Sequence, residues 1–281
     1  AWDRPTGRSS MEVATPTLES LENDIELLMR NDRDSVATLT LNRPTARNAL
    51  SRDLMTELQS ELDSIAQDES VKAVIIGGAG PSFCAGHDLK EIRNNSRREI
   101  FASLFTQCSK LMTSIVRLPK PVIARVQGIA TAAGCQLVAS CDLAVASTEA
   151  HFATPGVNIG LFCSTPMVAV SRAVGRKQTM EMLLTGTPIN AERARELGLV
   201  NRVVAPEMLN TETHRLAAGI ANKSPLTVKI GKAAFYRQLE MDLDGAYAYT
   251  SEVMTENMMA SDAREGIDAF MQKREPSWKG K

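Results

Sequence analysis

The chemistry that this sequence can support is concentrated in two glycine-bearing segments, each placed between a predicted strand and a predicted helix. One is Ser-Phe-Cys-Ala-Gly-His-Asp-Leu-Lys at 82–90, and the other is Gly-Ile-Ala-Thr-Ala-Ala-Gly-Cys-Gln-Leu at 128–137. Small residues let a ligand approach the backbone, and the start of a helix presents N–H groups that have no partner. Two such turns can direct one N–H each at a developing oxyanion. The competing interpretation is close packing of strand and helix with no ligand.

Other common catalytic patterns are missing from the chain. The sequence contains neither GxxxxGK[ST] nor GxSxG, and Gly78-Ala-Gly80 does not continue into a dinucleotide fingerprint. Its three histidines are not clustered and its five cysteines form no CxxC pair, so we predict no metal site. The cysteines are interpreted as buried small hydrophobes in a reducing compartment.

Composition excludes several classes of partner. The 281 residues include 32 Lys and Arg against 33 Asp and Glu, a formal net charge of -1, which argues against nucleic-acid and polybasic membrane binding. No run approaches the roughly 18 apolar residues of a membrane span. Aromatic residues make up 4% of the chain, so stacking platforms for single-stranded nucleic acid are not expected.

The elements that must position the two segments alternate between strand and helix. Strands are predicted at 35–41, 71–76, 120–126 and 142–146, and helices from Ser51, over 99–117 and from Gly134. This alternation indicates an α/β fold with parallel strands. Strand signals fade after about residue 190, and 191–273 is predicted to be mostly helical, with a break at Ser224-Pro225. The division predicted is a flexible lead-in (1–20), an α/β core (21–220) and a helical C-terminal region (221–281).

Several motifs, in order along the chain, make the sequence similar to a known family. They are Leu-Asn-Arg-Pro at 41–44, Arg-Asn-Ala-Leu at 47–50, Phe-Cys-Ala-Gly-His-Asp-Leu-Lys at 83–90, Lys-Pro-Val-Ile-Ala at 120–124 and Gly-Cys-Gln-Leu at 134–137. From about residue 35 to 273 the chain resembles the crotonase (enoyl-CoA hydratase/isomerase) superfamily, and in detail a mitochondrial branch of it. The resemblance implies a crotonase-like spiral of ββα units whose helical C-terminal region forms a homotrimer or hexamer. It also implies a matrix location, with a transit peptide that is not visible in this chain.

The same resemblance implies an acyl-CoA thioester as ligand, with no further cofactor and no metal. The two oxyanion donors of the family fall on the backbone N–H groups of His87 and Ala133. Contacts to the pantetheine and adenine of coenzyme A fall on Ala46, Arg47, Ala85 and Leu89. Phe270 and Lys273 match the C-terminal helix that closes over the nucleotide, often from a neighbouring subunit.

The sequence departs from the family at its acidic positions. Hydratases of this family carry two glutamates, where this chain has Gln136 and Gly156, and the acid of some isomerases falls on Ser164. A glutamine amide cannot accept a proton near neutral pH, so general base catalysis is lost. Gln136 can still orient a water or a polar acyl group, and Gly156 is expected to leave room for a bulkier acyl chain.

Other polar residues have simpler interpretations. The His87 side chain faces solvent, coenzyme A phosphate or the site, while Cys163 and Ser164 lack an evident base to activate them. Asp142 is expected to anchor a strand end. Three arginines are interpreted as a solvated helix face rather than a phosphate clamp: Arg93, Arg97 and Arg98.

Three functions stay open on the sequence alone. The leading hypothesis is an acyl-CoA-binding protein of fatty-acid metabolism, with an oxyanion hole and hydratase activity weak or absent. The second is an acyl-CoA thioesterase or decarboxylase that uses the oxyanion hole. The third is a non-catalytic regulatory or scaffold oligomer, which an open acyl pocket with convergent N–H groups would disfavour.

Overall fold

A computed structural model describes residues 26–281, so the predicted lead-in at 1–20 lies outside the described part of the chain. Nine strands occur in chain order: β1 Leu28–Arg33, β2 Val36–Leu41, β3 Ala73–Gly78, β4 Val122–Val126, β5 Ile129–Thr131, β6 Leu143–Ser147, β7 His151–Ala153, β8 Ile189–Asn190 and β9 Arg202–Val204. Six form one sheet in the order β1-β2-β3-β4-β6-β9, in which only β1 is antiparallel to its neighbour. The other three form a small sheet in the order β5-β7-β8.

Eleven α-helices surround and extend these sheets within residues 26–281. They are α1 Arg52–Gln67, α2 Leu89–Arg93, α3 Arg98–Arg117, α4 Ala133–Ser140, α5 Ser164–Ala173, α6 Arg176–Thr185, α7 Ala191–Glu196, α8 Leu209–Ala221, α9 Pro225–Gln238, α10 Leu243–Met259 and α11 Ser261–Gln272. None of the helices in this part of the chain is both long and apolar enough to cross a membrane.

The central strands are buried because helices cover both faces of the large sheet. The apolar positions of α1 and α3 recur at helical spacing and pack on one face, in the larger core. On the other face, Ile75 and Ile123 pack with α8 in a second, smaller core. Such double coverage gives strands that are continuously apolar rather than alternating. The helix α1 begins as predicted, because the Ser51 hydroxyl accepts the N–H of Leu54 at 3.2 Å.

The predicted α/β fold with parallel strands and a helical C-terminal region is confirmed, with one correction. Strands do continue beyond residue 190, since β9 pairs in parallel with β6 at the edge of the large sheet. The break at Ser224-Pro225 is confirmed, because Ser224 caps the start of α9. The predicted domain boundary at 220 stays a prediction.

A buried cluster, which we call the latch, joins α9 to the end of the sheet. Asp142 accepts the N–H of Val122 at 2.7 Å, the ammonium of Lys232 at 2.7 Å and the hydroxyl of Tyr236 at 2.8 Å. Lys232 also donates to the carbonyl of Ile115 at 3.0 Å, at the end of α3. Asp142 therefore anchors a strand end, as predicted, and also holds a C-terminal helix on the core.

Candidate functional site

The two glycine-bearing segments are joined along their backbones. The carbonyl of Cys84 accepts the N–H of Thr131 at 3.0 Å, and the Thr131 hydroxyl donates to the carbonyl of Ala85 at 3.2 Å. A Cβ on Gly134 would lie 2.1 Å from the Cys84 oxygen, a distance that no side chain permits. The start of α4 therefore lies directly against the first segment, and glycine at 134 is required for this close approach.

The N–H groups predicted as oxyanion donors lie near this junction. Gly86 has a φ of 95°, and a Cβ there would lie 3.3 Å from the backbone nitrogen of Ala133. Within residues 26–281, neither His87 nor Ala133 donates a backbone hydrogen bond. Ala132, directly before Ala133, has φ 52° and ψ -119°, a strained conformation for alanine, and its N–H donates to the carbonyl of Ala153 at 2.9 Å. The arrangement leaves two adjacent donors available, and their role stays a prediction.

The His87 side chain does not face solvent. Both ring nitrogens are buried and have no hydrogen-bond partner in the described part of the chain. The ring meets Phe105 of α3 edge to face, with 5.6 Å between the centroids. Burial lowers the pKa of His87 and the nearby backbone of Leu50 opposes the shift only in part, so the imidazole is neutral near neutral pH. A neutral imidazole with an unpaired nitrogen is able to accept a proton or a hydrogen bond.

Gln136 stands one helical turn beyond the start of α4 and is 4% exposed. Its side-chain oxygen lies 4.0 Å from the thiol of Cys108, which is on the same face of α3 as Phe105. The amide also lines a cleft of about 830 Å³. This position therefore reaches a cavity large enough for a ligand, but it offers an amide and no carboxylate.

Gly156 does not leave the room that the sequence suggested. A Cβ at this position would lie 2.8 Å from the carbonyl oxygen of Leu161 and 2.9 Å from the thiol of Cys163. Burial raises the pKa of the Cys163 thiol, which disfavours the nucleophilic thiolate. Ser164 is exposed at the start of α5, where its hydroxyl donates to the carbonyl of Phe162 at 3.3 Å. Within residues 26–281, neither side chain hydrogen-bonds to a base that would activate it.

The loop at 42–50, which carries two predicted coenzyme A contacts, is fixed by Asn48. This buried residue has a left-handed conformation, with φ of 54°. Its amide donates to the carbonyls of Ala79 at 2.9 Å and Ser82 at 2.8 Å, and its oxygen accepts the N–H of Arg43 at 2.9 Å. We did not predict this role, and only the Arg-Asn-Ala-Leu motif singled the residue out.

A partly buried ion pair ties the same loop to the first glycine-bearing segment. The guanidinium of Arg43 lies 2.9 Å from the carboxylate of Asp88 and donates to the carbonyl of Ala49 at 2.6 Å. Asp88 also accepts the N–H of Lys90 at the start of α2. Burial raises the pKa of Asp88, but these donors outweigh it and the pKa lies below its usual value. The charged form of the pair is therefore maintained at neutral pH.

The structure brings four of the six predicted coenzyme A contacts together. Ala46 and Arg47 lie in the 42–50 loop, and the N–H of Ala85 donates to the carbonyl of Arg47 at 3.0 Å. Leu89 opens α2 and is 56% exposed. The remaining two, Phe270 and Lys273, lie at the exposed end of α11, so their contact with a nucleotide stays a prediction. The exposure predicted for Arg93, Arg97 and Arg98 is confirmed, but the single helix face is wrong, because Arg93 ends α2 whereas Arg97 and Arg98 are at the start of α3.

The chain is similar in sequence and in structure to known proteins. The family described as enoyl-CoA hydratase/isomerase matches residues 31–281. Enoyl-CoA hydratase domain-containing protein 3, mitochondrial, from Mus musculus is 48% identical over 257 residues, which is 92% of this chain and 86% of that protein. The crystal structure of the human protein of that name is 49% identical, with a TM-score of 0.88 over 90% of this chain and 100% of the other. A structure described as enoyl-CoA hydratase from Mycobacterium smegmatis is 53% identical, with a TM-score of 0.89 over 90% and 99%.

Proposed function

Because the chain belongs to the enoyl-CoA hydratase/isomerase family, we propose that it binds acyl-CoA thioesters of fatty-acid metabolism and hydrates them weakly or not at all. One observation carries this proposal. The backbone N–H groups of His87 and Ala133 lie near each other and donate no backbone hydrogen bond within residues 26–281. Gln136 supplies an amide at a position where hydratases of the family carry a glutamate.

The two N–H groups act on the thioester carbonyl oxygen. Ala133 is the first residue of α4, where the partial positive charge of the helix N-terminus adds to the N–H dipole. Donors fixed in a buried site stabilise negative charge that develops on this oxygen, at about 3–4 kcal/mol each. They polarise the thioester, but they cannot move a proton to or from water.

The side chains around the carbonyl do not replace the two missing glutamates. Gln136 orients a water or a polar acyl group, and Gly156 has no side chain. The buried imidazole of His87 is neutral and is able to accept a proton. Hydration across a double bond requires two positioned proton transfers, so a single imidazole does not restore it.

The pair of N–H groups also favours a second candidate, the decarboxylation of a malonyl-type thioester. That reaction needs a stabilised enolate but no proton abstraction, so it makes no use of the missing glutamates. Thioester hydrolysis through an enzyme nucleophile is less well supported, because the Cys163 thiol is held in its protonated form and Ser164 has no base.

We further propose a homotrimer or hexamer in the mitochondrial matrix. The location rests on the mouse relative's description as mitochondrial. The assembly is supported by large apolar side chains that the last two helices leave exposed, since large exposed apolar patches mark contact surfaces. They are Leu243, Tyr247, Met254, Met258, Met259, Ile267, Phe270 and Met271. Light scattering distinguishes a monomer from these assemblies and from a scaffold of another size.

Acyl-CoA binding is expected to be measurable by calorimetry and by thermal shift. The contacts come largely from backbone atoms, which survive changes of side chain. Binding to the native state alone raises its free energy of unfolding by about 2.7 kcal/mol at 100 times Kd. Saturating short-, medium- and long-chain acyl-CoAs that give neither heat nor a shift would refute the proposal.

A pair of glycine variants locates the binding. Gly134→Ala is expected to abolish it, because the new methyl group would meet the Cys84 carbonyl at 2.1 Å and displace the start of α4. Gly219→Ala in α8 is the matched control, since a Cβ there meets no atom within 4 Å, and its affinity should equal that of the wild type. Equal affinity of both variants would place the ligand elsewhere.

A further inference from the structure

The cleft of about 830 Å³ that Gln136 lines runs between α3, α4, α5 and α9. Its walls are mainly apolar, with Met112, Val116 and Val168 among them. Cys108 of α3 lies beside Gln136. Arg117, which lines the other end of the cleft, is nine residues further along the same helix. At 1.5 Å per residue, the two levels are about 14 Å apart. The cleft is therefore long enough to hold an extended chain rather than a compact group.

The charged side chains that line the cleft are mainly basic. Four cationic side chains line it beside a single acid, Glu240, whose carboxylate lies 3.4 Å from the guanidinium of Arg172. They are Arg117, Arg172, Lys229 and Arg237. A fifth, Lys232, is neutralised in the latch.

Three of these cations have no ion pair within residues 26–281. Arg172 pairs with Glu240, and the guanidinium of Arg237 lies 4.3 Å from the centre of the Tyr249 ring. Arg117 and Lys229 make neither an ion pair nor a side-chain hydrogen bond to the rest of residues 26–281. An unpaired positive charge at the mouth of an apolar cleft is complementary to an anion at the end of an apolar chain.

The latch joins the two helices that carry these cations. Lys232 donates to the carbonyl of Ile115 at 3.0 Å, two residues before Arg117. Lys229 precedes Lys232 by three residues, so both lie on one face of α9. The end of α3 and the first half of α9 thus present Arg117 and Lys229 from two fixed helices.

We propose that this cleft takes the distal part of an acyl group that ends in a carboxylate, so that the preferred ligands are CoA thioesters of medium-length dicarboxylic acids. The inference rests on the proposed function, which places the thioester end of the acyl group near Gln136. With carbon–carbon bonds of about 1.5 Å in a zigzag, a span of about 14 Å corresponds to roughly ten carbons. The terminal carboxylate then meets Arg117 and Lys229 in charge-assisted hydrogen bonds.

Calorimetry with two matched probes tests the inference: decanoyl-CoA and the mono-CoA thioester of decanedioic acid. The wild type is expected to bind the second at least about tenfold more tightly, a difference of about 1.4 kcal/mol. The double variant Arg117→Gln and Lys229→Gln should lose this preference while keeping its affinity for decanoyl-CoA. Lys177→Gln, an exposed cation on α6 outside the cleft, is the control and should keep the preference.

The outcomes separate this inference from the function on which it rests. If decanoyl-CoA binds and the carboxylated probe binds no more tightly, the distal site is refuted and acyl-CoA binding stands. If the double variant keeps the preference, the carboxylate is recognised by other residues and the inference is overturned. If neither probe binds to the wild type, the proposed function and the distal site both fail.

Discussion

Wild-type protein is expected to hydrate crotonyl-CoA on the order of 10⁴ times more slowly than a hydratase that carries both glutamates. Each positioned proton transfer contributes roughly 10²–10⁴-fold, and this chain lacks the carboxylate at both positions, Gln136 and Gly156. Under the proposed function, what is left is polarisation by the N–H groups of His87 and Ala133, which would stabilise an enolate but deliver no hydroxide to the β-carbon. The loss of absorbance of the conjugated thioester measures the rate directly.

Two variants at one position control this measurement. Gln136→Ala should lower the residual rate only slightly, because the amide orients a water or a polar acyl group but carries no proton in the reaction. Gln136→Glu places one carboxylate beside the cleft and should raise the rate. The gain is limited because a single carboxylate stands in for the two that hydratases carry. Gly156→Glu is not a useful partner for it, since its Cβ would lie 2.8 Å from the Leu161 carbonyl.

A wild-type rate near 10 s⁻¹, the ordinary level for an enzyme, would contradict this account of which residues carry the chemistry. The buried, unpaired imidazole of His87 would then be the first candidate for the base. His87→Ala would distinguish it from a contaminating hydratase, because it would abolish a rate that belongs to this chain and leave its backbone N–H in place.

Asp142→Asn is expected to destabilise the fold by about 3 kcal/mol. The change is nearly isosteric, but it removes the negative charge that faces Lys232, whose side chain is 7% exposed. Breaking one side of a buried pair leaves the other charge uncompensated, at a typical loss of 3–5 kcal/mol. Denaturant unfolding measures the loss, and Asp63→Asn on the exposed side of α1 should change stability by less than about 0.5 kcal/mol.

The pH dependence of the stability of Asp142→Asn tests whether the unpaired charge of Lys232 causes the loss. Burial lowers the pKa of Lys232, and Asp142 opposes the shift, so removal of the carboxylate lowers the pKa further. The unfolded lysine has a pKa of about 10.4, so between the two values the unfolded chain binds more protons and stability rises with pH. The variant should therefore recover part of its loss as the pH rises towards the pKa of the unfolded lysine. A loss below about 1 kcal/mol, or one that is independent of pH, would contradict the latch.

Much of the fold was predictable from local pattern, and the crotonase-like spiral inferred from the motifs is confirmed. The helix α1 begins at its predicted cap, and α3 occupies almost the predicted range. The strand β9 was missed because three half-buried residues at a sheet edge give no alternation to detect. The edge strand β1 was missed for a similar reason, since most of its side chains are exposed.

The backbone part of the site was predictable from the sequence. The part that depends on contacts between helices far apart in sequence was less predictable. The close approach at Gly134 follows from small residues at a strand-to-helix turn, a signal that lies within one segment. The partners of the His87 ring and the walls of the cleft depend on how α3 and α9 meet. Lys232 and Ile115, which define that meeting, are 117 residues apart in sequence, and no local pattern encodes the contact.

The central claim is that the N–H groups of His87 and Ala133 hold the carbonyl oxygen of a bound thioester, and infrared difference spectroscopy tests it most directly. Crotonyl-CoA with ¹³C at the thioester carbonyl gives one identifiable stretching band, and a protein that does not hydrate it leaves the ligand intact during the measurement. Two hydrogen bonds to the oxygen weaken the C=O bond, so the band of the bound ligand should move to lower wavenumber than in water, as a single narrow component. A bound ligand whose carbonyl band is unshifted or moves to higher wavenumber would contradict the account.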